Sequence, residues 1–185
     1  MSLAVELFTG LLFAWCGWQW GASVQALLWC GFAAAIVALA AIDWDTTLLP
    51  DDITLPLLWA GLCASALAWT GVPLRDAVWG AVGGYLSLWL VYWAFKLLTG
   101  KEGMGYGDFK LLAMLGAWGG WQILPLTILL SSLVGAIIGV ILLRLREQKS
   151  STPIPFGPYL AIAGWIALLW GGQITDFYWQ FVGLK

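Results

Sequence analysis

An all-α polytopic bundle of transmembrane helices, with about six to seven spans, is the fold class this sequence predicts. Three observations carry it. Of 185 residues, 62% are hydrophobic and only 10% charged, and the mean hydropathy is +0.89. A soluble domain is roughly a quarter charged, and a water-facing fold this oily would expose more apolar surface than water tolerates. The apolar residues also fall into seven runs, most of them near the roughly 20 residues a span needs. Finally, many of the fifteen tryptophans gather near run ends, at Trp18, Trp20, Trp69, Trp118, Trp121, Trp170 and Trp179, as interfacial aromatic belts do.

The runs cover roughly 3–20, 22–43, 53–71, 75–99, 107–120, 121–146 and 155–172. Each is expected to be helical, because in lipid every backbone amide needs an internal partner. The first has no basic stretch before it and leads straight into more apolar sequence, unlike a cleavable signal peptide. The second ends in GFAAAIVALAAI, directly followed by Asp43. The third follows Pro50, Asp51 and Asp52, and Asp51 is placed to cap it. The fourth carries Gly80-x-x-x-Gly84 and the sixth Gly135-x-x-x-Gly139, spacings that let helices approach closely. The fifth is short, and is expected to be tilted, partly inserted or bent at Gly116, Gly119 and Gly120. The seventh opens on Phe156-Gly157-Pro158, where the glycine shapes a loop-to-helix turn. No repeat or second domain is visible, so residues 1–185 read as a single membrane-embedded domain.

Several function classes drop out. There is no histidine, which removes His-based catalysis, Ser-His-Asp triads and His metal sites. Cys16, Cys30 and Cys63 stand singly in apolar runs, without the paired spacing of a zinc or redox motif. No basic run suggests nucleic acid. With seven spans, the loops near 44–53, 97–107 and 147–154 share a side with the N-terminus. Lys96, Lys101, Lys110, Arg144, Arg146 and Lys149 lie at or near that side, against Arg75 and Lys185 on the other. That bias makes the first side cytoplasmic.

The acidic residues carry the functional signal. Glu6, Asp76, Glu147 and Asp176 read as solvated boundary charges. The other six form two clusters on the cytoplasmic side: Asp43, Asp45, Asp51 and Asp52, then Glu102 and Asp108. Asp43 ends one apolar run, and Asp108 opens another after the GMGYG loop. An ionisable group at that depth is costly and marks a site whose partner should be sought. Two carboxylates brought together at one depth are disfavoured from ionising together, so one keeps a proton. The charged one can then activate water while the protonated one binds a carbonyl, as in aspartic proteases. Gly103, Gly105 and Gly107 would let backbone approach an extended peptide and reach positive φ where needed. The same stretch also suits an ordinary loop whose Asp stabilises a helix N-terminus.

At these residues the chain resembles the prepilin peptidases, or type IV leader peptidases, membrane aspartic proteases of the Gly-x-Gly-Asp type. AIDWDTTLLPDDITLPLLWAGL (Ala41 to Leu62), KLLTGKEGMGYGDFKLLAMLGAW (Lys96 to Trp118) and PIPFGPYLAIAGW (Pro153 to Trp165) carry the resemblance, in the family's order. The resemblance implies an aspartic endopeptidase without cofactor or metal. It would cut the short basic leader from type IV prepilins or type II secretion pseudopilins after a glycine, at the cytoplasmic face of the bacterial inner membrane. The family's catalytic aspartates match Asp43 and Asp108. Asp45 stands two residues from the first of these, with Asp51 and Asp52 close behind, and Asp43 is nearest the apolar helix. Lys101 and Glu102 would meet charged residues of the substrate, or simply solvate the loop. Asp45, Asp51, Asp52 and Glu102 would form an acidic mouth for the basic leader. The cysteine-tetrad methyltransferase segment of bifunctional members has no match, so a peptidase without that activity is expected. A rival class is a small transporter whose carboxylates bind protons or cations. It predicts acids near mid-bilayer on broken helices, commonly in two related halves.

Overall fold

The computed structural model describes residues 2–100, 102–145 and 155–181. Lys101, Arg146, Glu147, Lys149 and the first two residues of the PIPFGPYLAIAGW block lie outside them. Seven α-helices follow one another: α1 (Ser2–Trp20), α2 (Val24–Thr46), α3 (Asp51–Ala66), α4 (Leu74–Thr99), α5 (Tyr106–Gly119), α6 (Leu124–Leu145) and α7 (Gly157–Phe181). A single 3-10 turn, Trp121–Ile123, joins α5 to α6. The all-α expectation holds, and by length and composition three stretches can cross a membrane: Val24–Thr46, Leu74–Thr99 and Trp121–Ile141. Three such spans make this a multi-pass membrane protein. Its surface agrees, with Trp18, Leu97, Leu98 and Phe181 all more than three-quarters exposed.

Local chemistry sets the helix ends. Ser23 caps α2, its hydroxyl accepting the Ala26 N–H at 3.1 Å, which satisfies one of the otherwise orphaned first-turn amides. At the other end Thr47 adopts a left-handed conformation (φ 55°) and its N–H returns to the Asp43 carbonyl. Gly100 closes α4 in the same way at φ 69°, where a side chain would be strained. Pro50 is the residue before α3, so Asp51 and Asp52 lie in that helix's first turn rather than capping it. Their charge there favours the helix dipole.

The fifth element departs most from expectation. Of the three glycines expected to bend it, Gly116 leaves α5 straight. It runs unbroken to Gly119, ends at the positive φ of Gly120, and is enclosed by protein. From Asp108 to Trp118 every side chain is buried except Lys110. α3, α4 and α7 surround it. At 14 residues and about 1.5 Å each, it is too short to cross the roughly 30 Å hydrocarbon core.

Small residues admit it. A Cβ on Gly80 of α4 would press into the Gly116 backbone of α5, one on Gly116 would press into Gly80, and one on Gly84 would stand 2.6 Å from the Leu112 carbonyl oxygen. Gly61 of α3 makes room for the Trp118 indole, whose Nε1–H donates to the Leu57 carbonyl at 2.8 Å. Trp118 is 1% exposed and belongs to no interfacial belt. It packs with Trp29, Phe32 and Trp165 in an aromatic core, with ring centroids as near as 4.6 Å. Trp18, Trp69, Trp121 and Trp170 are exposed as a belt requires. The side chain of Trp179 is outside the described residues.

Replacing Gly116 by alanine forces two backbones apart, and overpacking of this kind costs about 1–3 kcal/mol. The G116A protein in detergent should therefore unfold several degrees below the parent, whereas G10A, with nothing within 4 Å of the new Cβ, should not. Equal melting temperatures for G116A and the parent would contradict this packing.

Candidate active site

Residues of the α2–α3 and α4–α5 connections, with Pro155 and Phe156 just before α7, surround a cavity of about 650 Å³. Asp43 and Asp108 both border the cavity, though 65 positions separate them in the chain. They are 4% and 6% exposed, and near enough for the charge of Asp43 to act on Asp108.

Asp43 sits in the last turn of α2, and its Oδ2 accepts the N–H of Gly157, the first residue of α7, at 2.9 Å. The carboxylate thus faces a helix N-terminus, where unsatisfied amides and the dipole favour negative charge. A Cβ at Gly157 would fall 2.6 Å from that same oxygen, so a larger residue there would displace the carboxylate. Pro158 follows at the helix start, where its missing N–H is no loss. Gly157 is more than the turn-former its sequence suggested: it is the hydrogen-bond donor to Asp43. Asp108 stands in the first turn of α5, where its own N–H donates to the Gly105 carbonyl at 3.3 Å.

The glycine loop differs from expectation. Gly103, Gly105 and Gly107 border the cavity, but none has positive φ, and Gly105 is extended at φ −82°, ψ 154°. The glycines at 103 and 107 serve close packing: added Cβ atoms would meet Phe95 at 2.9 Å and Leu49 at 2.7 Å. Glu102 reaches Lys96 at 2.9 Å. The lysine, with Tyr92, holds its carboxyl below the usual glutamate range. Asp51 also borders the cavity, and both of its oxygens are bound by the Lys110 Nζ, at 2.6 and 2.7 Å. That bridge ties the first residue of α3 to the first turns of α5. Lys110 drew no functional notice in the sequence, because only the fold brings Asp51 opposite it. Asp45 and Asp52 are exposed and do not line the cavity, and Lys101 is outside the described residues.

Residues 30–140 match the profile of the Type IV leader peptidase family. The chain belongs to that family. Curated relatives of this member include proteins named "Prepilin leader peptidase/N-methyltransferase". That of Pseudomonas aeruginosa is 65% identical over 181 residues, 98% of this chain and 62% of the relative. Those of Stutzerimonas stutzeri and Xanthomonas campestris are 61% and 51% identical, over 97% and 98% of this chain and 62% and 63% of the relatives. The chain thus spans somewhat under two thirds of the length of these relatives. No solved structure matches it.

Two substitutions separate the contacts of this family member. Lys110→Met removes a half-exposed ion pair, worth about 0–1 kcal/mol, so the melting temperature in detergent should barely move. Gly157→Ala drives a methyl group into the Asp43 carboxylate and leaves that buried group without its donor, at a cost of about 1–3 kcal/mol. A G157A melt matching the parent's would show that the Gly157 N–H does not hold Asp43.

Proposed function

We propose that this chain is a single membrane-embedded peptidase unit. It removes the short basic leader of type IV prepilins or type II secretion pseudopilins, cutting after glycine at the cytoplasmic face of the bacterial inner membrane. The observation that carries the reading is two buried carboxylates, Asp43 and Asp108, from helices distant in sequence, facing one loop-lined cavity in a member of the leader peptidase family. Six to seven apolar helices take part in the bundle. α5 is held inside it, and the α2–α3, α4–α5 and α6–α7 loops face the cytoplasm.

The chemistry follows from one shared proton. Two carboxyl groups in one cavity are disfavoured from ionising together. The ionised member accepts a proton from a bound water, whose oxygen attacks the scissile carbonyl carbon. The protonated member donates a hydrogen bond to the carbonyl oxygen as negative charge builds there. The tetrahedral adduct collapses, the C–N bond breaks, and a carboxyl proton passes to the leaving amine. No acyl-enzyme forms. The pair titrates as a unit, so neither role belongs to one residue. Asp51 and Glu102 are neutralised by Lys110 and Lys96. Asp45 and Asp52, which stay exposed, supply the negative field that draws a basic leader. A transporter would need its carboxylates near mid-bilayer, whereas these lie by the loops.

Asp43→Asn and Asp108→Asn should each reduce prepilin cleavage by about a hundredfold or more, the scale of a lost acid–base group. Mass spectrometry of a co-expressed prepilin reads this directly, and unchanged processing by either variant would refute the dyad. The cleavage rate should also peak with pH. At low pH both carboxyls are protonated and no base remains; at high pH both are ionised and no acid remains. A rate still climbing with pH beyond the range of both acids would contradict the shared proton.

A further inference from the structure

A second cavity, of about 390 Å³, opens between α4 and α6. Leu88 and Val91 form one wall, Ile128, Ser132 and Gly135 the other, and Tyr159 of α7 borders it. It runs into the carboxylate cavity, since Gly103, Met104, Pro155 and Phe156 border both. The wall on α6 carries small residues at Ser132, Gly135 and Ala136, and a Cβ at Gly135 would stand in ordinary contact with Phe156 at 3.5 Å. Tyr159 is 6% exposed, and it brings a hydroxyl to a lining whose other side chains are apolar apart from Ser132. A hydroxyl in such apolar surroundings gains from an acceptor brought by a ligand.

We infer that this groove between α4 and α6 is the dock for the first turns of the substrate's apolar helix, with the Tyr159 hydroxyl donating to a backbone carbonyl that is freed where the helix unwinds before the cut. The inference rests on the peptidase reading and specifies how the substrate reaches the dyad. A peptide fits the groove better than a lipid chain for two reasons. A hydrocarbon tail has no acceptor for a tyrosine hydroxyl, whereas an unwound backbone has carbonyls that need a donor. The groove also leads from the apolar face of the bundle to the carboxylates, the route required of a chain that is apolar on one side of its cut and basic on the other. Its volume holds a few side chains and not a whole helix, so the substrate helix lies along α4 and α6 with one edge seated. Ser132 and Gly135, one turn apart, let that edge come close.

The test compares two substrates in detergent: a whole prepilin, and a soluble peptide that spans the leader and the cut but lacks the apolar segment. Ser132→Leu and Ala136→Trp fill the groove from positions that do not border the carboxylate cavity. They should raise KM for the prepilin about tenfold or more and leave kcat and peptide cleavage unchanged. Tyr159→Phe, which removes only the hydroxyl, should raise KM for the prepilin about fivefold, the scale of one hydrogen bond. Groove variants that slow both substrates alike, or neither, overturn the dock. As a measurement independent of turnover, p-benzoylphenylalanine placed at Ala136 should photo-crosslink to the prepilin's apolar segment. Crosslinks to phospholipid alone overturn the inference. If the parent cuts neither substrate, the peptidase reading fails separately, and the crosslink still decides the groove.

Discussion

Backbone meets backbone where Gly80 of α4 faces Gly116 of α5, and the placement of α5, which carries Asp108, depends on that approach. Helices in lipid gain no hydrophobic drive toward one another, so close van der Waals contact must hold them. Two facing glycines remove the side chains that would keep the axes apart. α5 can then sit inside the bundle, with Trp118 on the Gly61 surface and hydrogen-bonded to α3, and with α7 closing the remaining side. A helix enclosed this way does not have to match the bilayer thickness. It can be short and begin with an aspartate, because protein and loops surround it where lipid would otherwise.

The cavity end of the bundle is organised by charge held in place. The N-terminus of α7 gives its first N–H to Asp43, which orients that carboxylate at the cavity. Lys110 grips both oxygens of Asp51 and so fixes the start of α3 against α5 two residues after Asp108. Lys96 does the same for Glu102 and the loop before α5. Each bridge is weak on its own, being partly exposed. Together they hold the α2–α3 and α4–α5 connections around one volume.

Much of this could be read from residue order. Apolar runs gave the helices, since run length and the need for internal hydrogen bonds leave no other backbone. Asp43 and Asp108 stood out because acids are rare beside such runs. Other features were hidden for identifiable reasons. Trp118 looked interfacial because it lies near the end of its run, but the end of a short enclosed helix is core. Gly157 looked like a turn because its partner is 114 positions away. The loop glycines suggested positive φ, while at 103 and 107 their purpose is to let Phe95 and Leu49 pack against the main chain.

Sequence alone determined that this chain is helical and at home in lipid, and that acids gather on one side of it, because hydropathy and charge placement are properties of each segment by itself. Only the tertiary structure decided which acids meet. Asp43 and Asp108 turn inward to a shared cavity, Asp45 and Asp52 stay outside it, and Asp51 turns to Lys110. Those choices depend on which face of each helix the neighbouring helices cover, and a linear order of residues does not contain that information.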